Sequence, residues 1–320
     1  MPPEVTTVIP VYNGERYIRW TLDSLAAQSR RPDRVVVIDD CSTDGTRGLV
    51  KNYSDLPCDL VVNEKNQGLF PNLNCALDYA SETRYLHLLH ADDLVKPPFI
   101  RDLVAVLEDK PALSFSYSDI EWINEQGDVI AETPETSEIF NEIPRKQFMI
   151  QQGELDPVCC GSLVFKTDCQ PLPCRFQLNY PQVADVIFYA ELAREAPSIQ
   201  YNPRGLCQMR SHGESATSSN RKNIDSWMID EWRAMELIAG WIPDGALSRA
   251  LRRHKLKCLF AARSIVKQQM TRKADPEFAR LIGIEARRRA GALHYFLGRI
   301  AVGLRDTIKG PNKLTQSATS

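Results

Sequence analysis

Val5-Thr-Thr-Val-Ile-Pro-Val-Tyr-Asn13 and Val35-Val-Val-Ile-Asp-Asp-Cys-Ser42 decide how this chain folds. Both are short β-branched runs, and the second is apolar at every position from Val35 to Ile38 rather than at alternate ones. The first is closed by Pro10 and the second by Asp39-Asp40. Consecutive apolar residues mark strands covered on both faces, as in a parallel sheet. Leu60-Val-Val62 and Tyr85-Leu-His-Leu-Leu89 repeat the pattern. The four runs begin about 25–30 residues apart, which leaves room for one helix between each pair. Tyr17, Ile18, Leu22, Leu25 and Ala26 supply one such apolar face after the capping candidate Asn13; Leu73, Leu77 and Ala80 supply another after Asn72. Strand, helix and strand in this rhythm form right-handed βαβ units. Ligands then sit beyond the carboxyl ends of the strands, where Pro10–Asn13, Asp39-Asp40 and Asp92-Asp93 fall.

Downstream the punctuation continues. After Pro97-Pro98 the spacing predicts a helix over Phe99–Leu107, strands at Leu113–Tyr117 and Val129–Ala131 joined through the polar turn Asn124–Asp128, and a loop over 132–157. Gly161-Ser-Leu-Val-Phe165 reads as a strand and Val183–Arg194 as a helix. From about residue 224 the composition is helical, and the last dozen residues read as a disordered tail. The expected division is therefore an α/β domain over 1–222, a helical region over 223–308 and a tail over 309–320.

With 320 residues, 43% hydrophobic and 25% charged, the chain falls in the ordinary globular range, which excludes fibrous and wholly disordered classes. It carries no apolar run long enough to span a bilayer and no signal-peptide pattern at its start, so a cytoplasmic setting is expected. Nine cysteines at irregular spacing, with no CxxC pair, read as reduced packing residues rather than a disulfide framework or a zinc ribbon. The net charge of -2 hides an asymmetry. Residues 1–220 hold 19 Lys and Arg against 32 Asp and Glu, whereas residues 221–320 hold 20 against 9.

Four segments in order, Val8-Ile-Pro-Val-Tyr-Asn13, Val37-Ile-Asp-Asp-Cys-Ser-Thr-Asp44, Asn66-Gln-Gly-Leu-Phe-Pro-Asn-Leu-Asn74 and Leu88-Leu-His-Ala-Asp-Asp93, resemble the nucleotide-sugar-binding half of family 2 glycosyltransferases. Gly161-Ser162, Ala184-Asp185 and Met209-Arg-Ser-His-Gly-Glu-Ser-Ala-Thr217 extend the resemblance over roughly residues 5–220. An ordered series is far more specific than any one motif. The resemblance implies a GT-A fold, a Rossmann-like, mostly parallel central sheet with helices on both faces, followed here by a helical appendage.

It also implies roles. Asp39 would accept a hydrogen bond from a base N–H in a pocket lined by Pro10, Val11, Tyr12 and Asn13, with Asp40 at the ribose or backbone. Gly68 and Asn74 would complete the nucleotide side, although Leu73 stands where an arginine is common. Ala91 and Asp92 would meet the diphosphate, while Asp92, Asp93 and His212 would hold Mg²⁺ or Mn²⁺, a cation that suits oxygen ligands and substrate phosphates. His90 replaces the leading acid of the usual DxD motif. Gly161 and Ser162 would face the donor sugar or the acceptor. Asp185 would be the base of an inverting transfer, taking the proton of the attacking hydroxyl. His87, His254 and His294 have no motif support and read as structural.

The basic region from Arg252 to Arg289 interleaves Lys and Arg with Leu, Ile and Phe. One reading is an interfacial surface on anionic lipid, on the cytoplasmic face of a membrane; the other is a helical cap with a solvated face. No nucleic-acid motif accompanies the charge. P-loop, dinucleotide-binding, HExxH and GxSxG signatures are absent. The resulting expectation is a metal-dependent inverting transferase. Its donor would be a nucleoside-diphosphate sugar, UDP-linked, and its acceptor a hydroxyl of a saccharide or lipid-linked saccharide in cell-surface polysaccharide or lipopolysaccharide assembly. The alternative is a GT-A domain with weakened turnover that binds a nucleotide or a partner protein.

Overall fold

The structure is a computed structural model that describes residues 4–131, 140–156, 158–213 and 223–309, with side chains described as far as residue 303. The expected tail beyond Lys309 and the Glu214–Thr217 end of the C-terminal motif lie outside the described residues. The chain divides into two compact units. One takes the residues up to Gln152, Asp156–Asn179 and Ala184 onward through the last strand; the other takes Gly153–Leu155, Tyr180–Val183 and the C-terminal helices.

In the first unit the predicted strand runs become β1 (Val5–Val11), β2 (Arg34–Asp39), β3 (Cys58–Val62) and β4 (Tyr85–Leu88), with α1 (Ile18–Ala26), α2 (Thr46–Lys51) and α3 (Leu69–Asp78) between them. β2 pairs with β1 and β3, and β1 with β4, all in parallel. β1 and β2 are buried along nearly their whole length, as consecutive apolar positions require. Then follow β5 (Leu94–Val95), α4 (Phe99–Ala105), β6 (Phe115–Ile123), β7 (Val129–Ala131), β8 (Asn141–Glu142), α5 (Arg145–Gly153), β9 (Leu163–Lys166), α6 (Ala184–Glu195) and β10 (Ile199–Arg210). The sheet order is β3-β2-β1-β4-β9-β6-β10-β5, with β7 beside β6 and β8 beside β10. β9 runs antiparallel to β4 and β6, β5 antiparallel to β10, and β6 parallel to β10. The mostly parallel sheet is thus a property of its N-terminal half, and the whole is mixed.

Two registers position the site. Val11 lies opposite Asp39, and Val8 lies opposite both Val36 and Leu88. β2, β1 and β4 therefore end along one edge and deliver Tyr12-Asn13, Asp39-Asp40 and the His90–Asp93 turn to it. Leu94 and Val95 pair with Gln208 and Cys207, which draws the end of β10 against that turn. Ile9, Ile18, Leu22, Val37, Leu89, Phe99 and Val164 pack together as a fully buried cluster beneath this edge.

Three expectations are corrected. Asn13 does not cap α1, whose N-cap is Tyr17; Asn13 instead adopts φ 51° in the preceding loop. Asn72 does not cap α3 but sits inside it, its amide donating to Ile38 O, because the helix begins earlier, after Gly68. The expected loop over 132–157 contains β8 and α5; residues 132–139 and 157 are outside the described residues.

The second unit is helical: α7 (Asp230–Trp241), preceded by a π-turn at Asp225–Ile229, then α8 (Ala246–Thr271), α9 (Pro276–Ala290) and α10 (Ala292–Lys309). α9 starts as its sequence dictates, with Asp275 accepting from Phe278 N and Pro276 at the first position. Inside this unit Glu231 and Lys267 form a buried pair at 2.7 Å, and the Lys267 ammonium also donates to Trp227 O. Among the described residues no helix is long and apolar enough to cross a membrane.

Candidate active site

The strand-end loops are held by their own side chains. Asn13 N donates to Ser42 Oγ at 2.8 Å and Thr43 N returns a bond to Asn13 Oδ1 at 2.9 Å, so the β1 and β2 loops are laced together. Pro10 and Val11 are buried in β1, and Tyr12 beyond them is half exposed at 51%. Asp39 is fully buried. Its Oδ2 accepts from Ser42 N at 3.0 Å and Arg47 Nε at 2.7 Å, while its Oδ1 is buried with no partner among the described residues. A buried acceptor left open is costly unless something donates to it.

Asp40 has a different task. Its two oxygens accept from Asn63 Nδ2, Gln67 N and Gly68 N at 2.8–3.0 Å, so it organises the 63–68 loop. Gly68 has φ 91°, a region that favours glycine. Asn74 is engaged too: its amide exchanges hydrogen bonds with both backbone groups of Phe176, at 3.0 and 2.8 Å, and Arg175 donates to Asn74 O and pairs with Asp78.

The third loop carries the most charge. Thr21 Oγ1 donates to the carbonyls of Ala91 and Asp93, fixing the turn from below. Asp93 is buried and its Oδ1 accepts from Arg210 N at 2.9 Å. Asp92 is partly exposed, with its Oδ2 2.8 Å from His212 Nε2. His90 Nδ1 lies 3.6 Å from Asp93 Oδ2. Burial and the neighbouring Asp92 charge push the Asp93 carboxyl well up. Burial also works against ionised Asp92, but the His212 bond and the His90 charge outweigh it and hold that carboxyl down. Of the two acids, Asp92 is the more readily ionised. His90 is pushed up to about 9: burial opposes its cation, and the Cys160 thiol, Asp92 and Asp185 overcome that. Asp185, in the first turn of a mostly buried α6, accepts from Val186 N at 2.8 Å; burial raises its pKa against that bond and the His90 charge.

His90, Asp92 and Asp93 each present an atom within 4.8 Å of the others. Two carboxylates beside imidazoles fit a divalent cation that completes its shell with water and phosphate oxygens. Gly161 and Ser162 are buried; Gly161 O is bonded to His87 Nε2, and Ser162 Oγ donates to Cys159 O. His87, read as structural, is buried in β4.

Three partners escaped sequence reasoning. Arg47 holds Asp39 from the second position of α2, and its signal was a cation eight residues after the strand-end acid. Arg210 donates through its guanidinium to the carbonyls of Asp92, Asn124 and Glu125 and lies 4.7 and 4.8 Å from the rings of Tyr17 and Trp20. It stood inside the Met209–Thr217 motif without a role. Cys160, read as packing, lies against His90.

Comparison with known proteins gives this arrangement its family. The sequence model of "Glycosyl transferase family 2" matches residues 6–168, just over half of the chain. The chain is 26% identical over 221 residues to an uncharacterized glycosyltransferase of Haemophilus influenzae, 68% of either chain. It is 32% identical over 120 residues to the UDP-Glc:alpha-D-GlcNAc-diphosphoundecaprenol beta-1,3-glucosyltransferase WfgD of Escherichia coli, which covers 38% of this chain and 47% of that one. It superposes on the crystal structure of S. aureus TarS 1-349 in complex with UDP with a TM-score of 0.60 and 19% identity, covering 96% of this chain and 92% of the other, so the two share a GT-A-like fold. Matched over its strand-end motifs, the chain belongs to glycosyl transferase family 2.

Proposed function

We propose that this protein transfers a sugar, with inversion, from a UDP-sugar to a hydroxyl of a saccharide or lipid-linked saccharide in the assembly of a cell-surface polysaccharide. One observation carries the reading. The His90–Asp93 turn and Asp185 at the start of α6, about 90 residues apart in sequence, lie near enough for both Asp92 and Asp185 to favour the His90 cation. In this reading the open Oδ1 of Asp39 takes the base N–H, with Pro10, Val11, Tyr12 and Asn13 around it. Asp40, Gly68 and Asn74 shape the nucleotide side, Ala91 and Asp92 lie at the diphosphate, and Gly161 and Ser162 form the wall toward the sugar. Mg²⁺ or Mn²⁺, held by Asp92, Asp93 and His212, would neutralise charge on the departing diphosphate.

The protein's own part is proton handling and exclusion of water. Asp185, with its basicity raised by burial, takes the proton from the acceptor hydroxyl. His90, positively charged at neutral pH, keeps Asp185 ionised until the acceptor arrives. WfgD, by its name, acts on a diphosphoundecaprenol-linked acceptor, and a lipid-linked acceptor is consistent with the second unit here. Leu247 and Leu251 of α8 and Leu293 and Phe296 of α10 are each at least 60% exposed beside Arg253 and Arg299, the composition of a face that rests on anionic lipid at the cytoplasmic side.

Transfer and hydrolysis assays over a panel of UDP-sugars, with Mn²⁺, Mg²⁺ or chelator, test this. Asp185→Asn should lower turnover by about 10²–10⁴-fold with little change in UDP binding, and Asp92→Ala should raise the metal requirement. Full turnover in Asp185→Asn overturns the mechanism. UDP binding that ignores metal, with no donor turned over, favours a nucleotide-binding role instead; His90 in place of an acid is the feature that points that way.

A further inference from the structure

A second cluster of metal-ligating side chains lies in the helical unit. His254 and Cys258 are one turn apart on α8 and so share a face, and His294 approaches them from α10. His254 Nδ1 is 3.0 Å from His294 Nε2, Cys258 Sγ is 3.9 Å from His254 Nε2, and one donor atom from each of the three residues falls within 4.8 Å of the others. We propose that His254, Cys258 and His294 form a Zn²⁺ site that clips α10 to α8.

The surroundings are arranged for it. Any Cβ at position 298 would sit 3.0 Å from the backbone nitrogen of Ala262, so glycine there lets α10 press against α8. Gly298 and Ala262 are each one turn beyond a ligand, His294 and Cys258, so this close approach fixes the separation of the two. The Nδ1 edge of the His294 ring lies toward the Ala290–Gly291 turn, and the Ala290 carbonyl favours a proton on that edge. A carbonyl on Nδ1–H leaves Nε2 as a lone pair aimed at the cluster, the usual outer-shell device of a metal-bound histidine. Two cations close by in sequence are paired, Arg253 with Glu236 and Lys255 with Glu154.

The donor chemistry selects the metal. Two imidazoles and a thiolate suit Zn²⁺ and do not suit Mg²⁺ or Ca²⁺. Tetrahedral coordination at about 2.0–2.1 Å to nitrogen and about 2.3 Å to sulfur brings neighbouring donors to roughly 3.3–3.6 Å. The present spacing reaches that by rotating exposed side chains. Three protein ligands leave a fourth position for water.

The test uses the full chain, without a histidine tag and kept reduced by a phosphine. Co²⁺ titration should give a thiolate-to-cobalt charge-transfer band and intense tetrahedral d–d bands at one equivalent. Cys258→Ser should abolish the charge-transfer band. His254→Gln and His294→Gln should each weaken Zn²⁺ binding at least about tenfold, and Zn²⁺ should raise the thermal midpoint of the wild type but not of the variants. The ligands are exposed or half-buried, and far-UV circular dichroism of each metal-free variant should superimpose on the wild type. A band that survives Cys258→Ser, the lack of any such band in the wild type, or Zn²⁺ held equally by the His254→Gln/His294→Gln double variant would overturn the proposal. None of these readouts depends on sugar transfer.

Discussion

Lowering the pH from 7 to 5 should cost the first unit about 2 kcal/mol through one side chain, His87. Its ring is fully buried, with Nε2 3.0 Å from Gly161 O and Nδ1 3.2 Å from Thr7 Oγ1. A carbonyl oxygen can only accept, so Nε2 bears the proton and Nδ1 accepts from the Thr7 hydroxyl. A second proton would break the Thr7 bond and place a charge in the core. Burial, partly offset by the Gly161 carbonyl, lowers the pKa to about 4. In the unfolded chain the ring titrates near 6.5. Between these values the unfolded state takes up a proton that the folded state refuses, so stability is complete above about pH 6.5 and is lost as pH falls toward 4. Linkage between the two pKa values gives about 2 kcal/mol lost at pH 5 and about 3 kcal/mol below pH 4. Urea unfolding of wild type and His87→Gln at both pH values isolates this contribution, because the other titrating groups cancel in the difference. Glutamine can still donate to Gly161 and accept from Thr7, but it does not titrate. The variant should be the less stable at pH 7 and should recover about 2 kcal/mol relative to wild type at pH 5. An unchanged gap between the two proteins would refute the neutral, buried assignment.

Other outcomes follow from the same geometry. Asp40→Asn turns an amide toward the Gln67 and Gly68 N–H groups and should destabilise the protein by about 2 kcal/mol or more in chemical denaturation. Gly68→Ala, at φ 91°, should cost about 1–2 kcal/mol although nothing crowds the added methyl. Lys267→Met removes the nearer of two cations on the buried Glu231 and leaves Arg263 at 3.5 Å, so it should cost about 1–3 kcal/mol in the unfolding of the helical unit, whereas the Glu231→Leu/Lys267→Met pair should recover most of it. The missing recovery would show that the ion pair itself stabilises.

β1 and β2 were legible because Val5–Ile9 and Val35–Ile38 are unbroken β-branched runs, whereas β4 showed only as the short, largely apolar run Tyr85–Leu89. β10 was not legible: Pro203-Arg-Gly205 interrupts it, and the structure absorbs the break as two register shifts against β6. α5 was hidden because Arg145–Gly153 has little apolar periodicity, so a helix read as a loop. Asn13 and Asn72 are good caps by propensity, yet loop lacing claimed the first and the carbonyl of Ile38 the second. The acids were readable as types in sequence order. Their partners were not, since Arg210 reaches Asp93 across 117 positions and no local pattern encodes such a contact.

The exchange of hydrogen bonds between Asn74 and Phe176, reinforced by Arg175, has a consequence for re-engineering. Helix α3 and the segment ahead of α6 form one mechanical piece: a grafted residue 176 still offers the backbone groups that hold the Asn74 amide, but a graft over residues 170–178 that moves that backbone or drops Arg175 releases the amide, the Asn74 carbonyl and Asp78 together. The transferable cassette is the segment together with Asn74 and Asp78, and chimeras cut between them should express poorly even when every strand-end aspartate is retained.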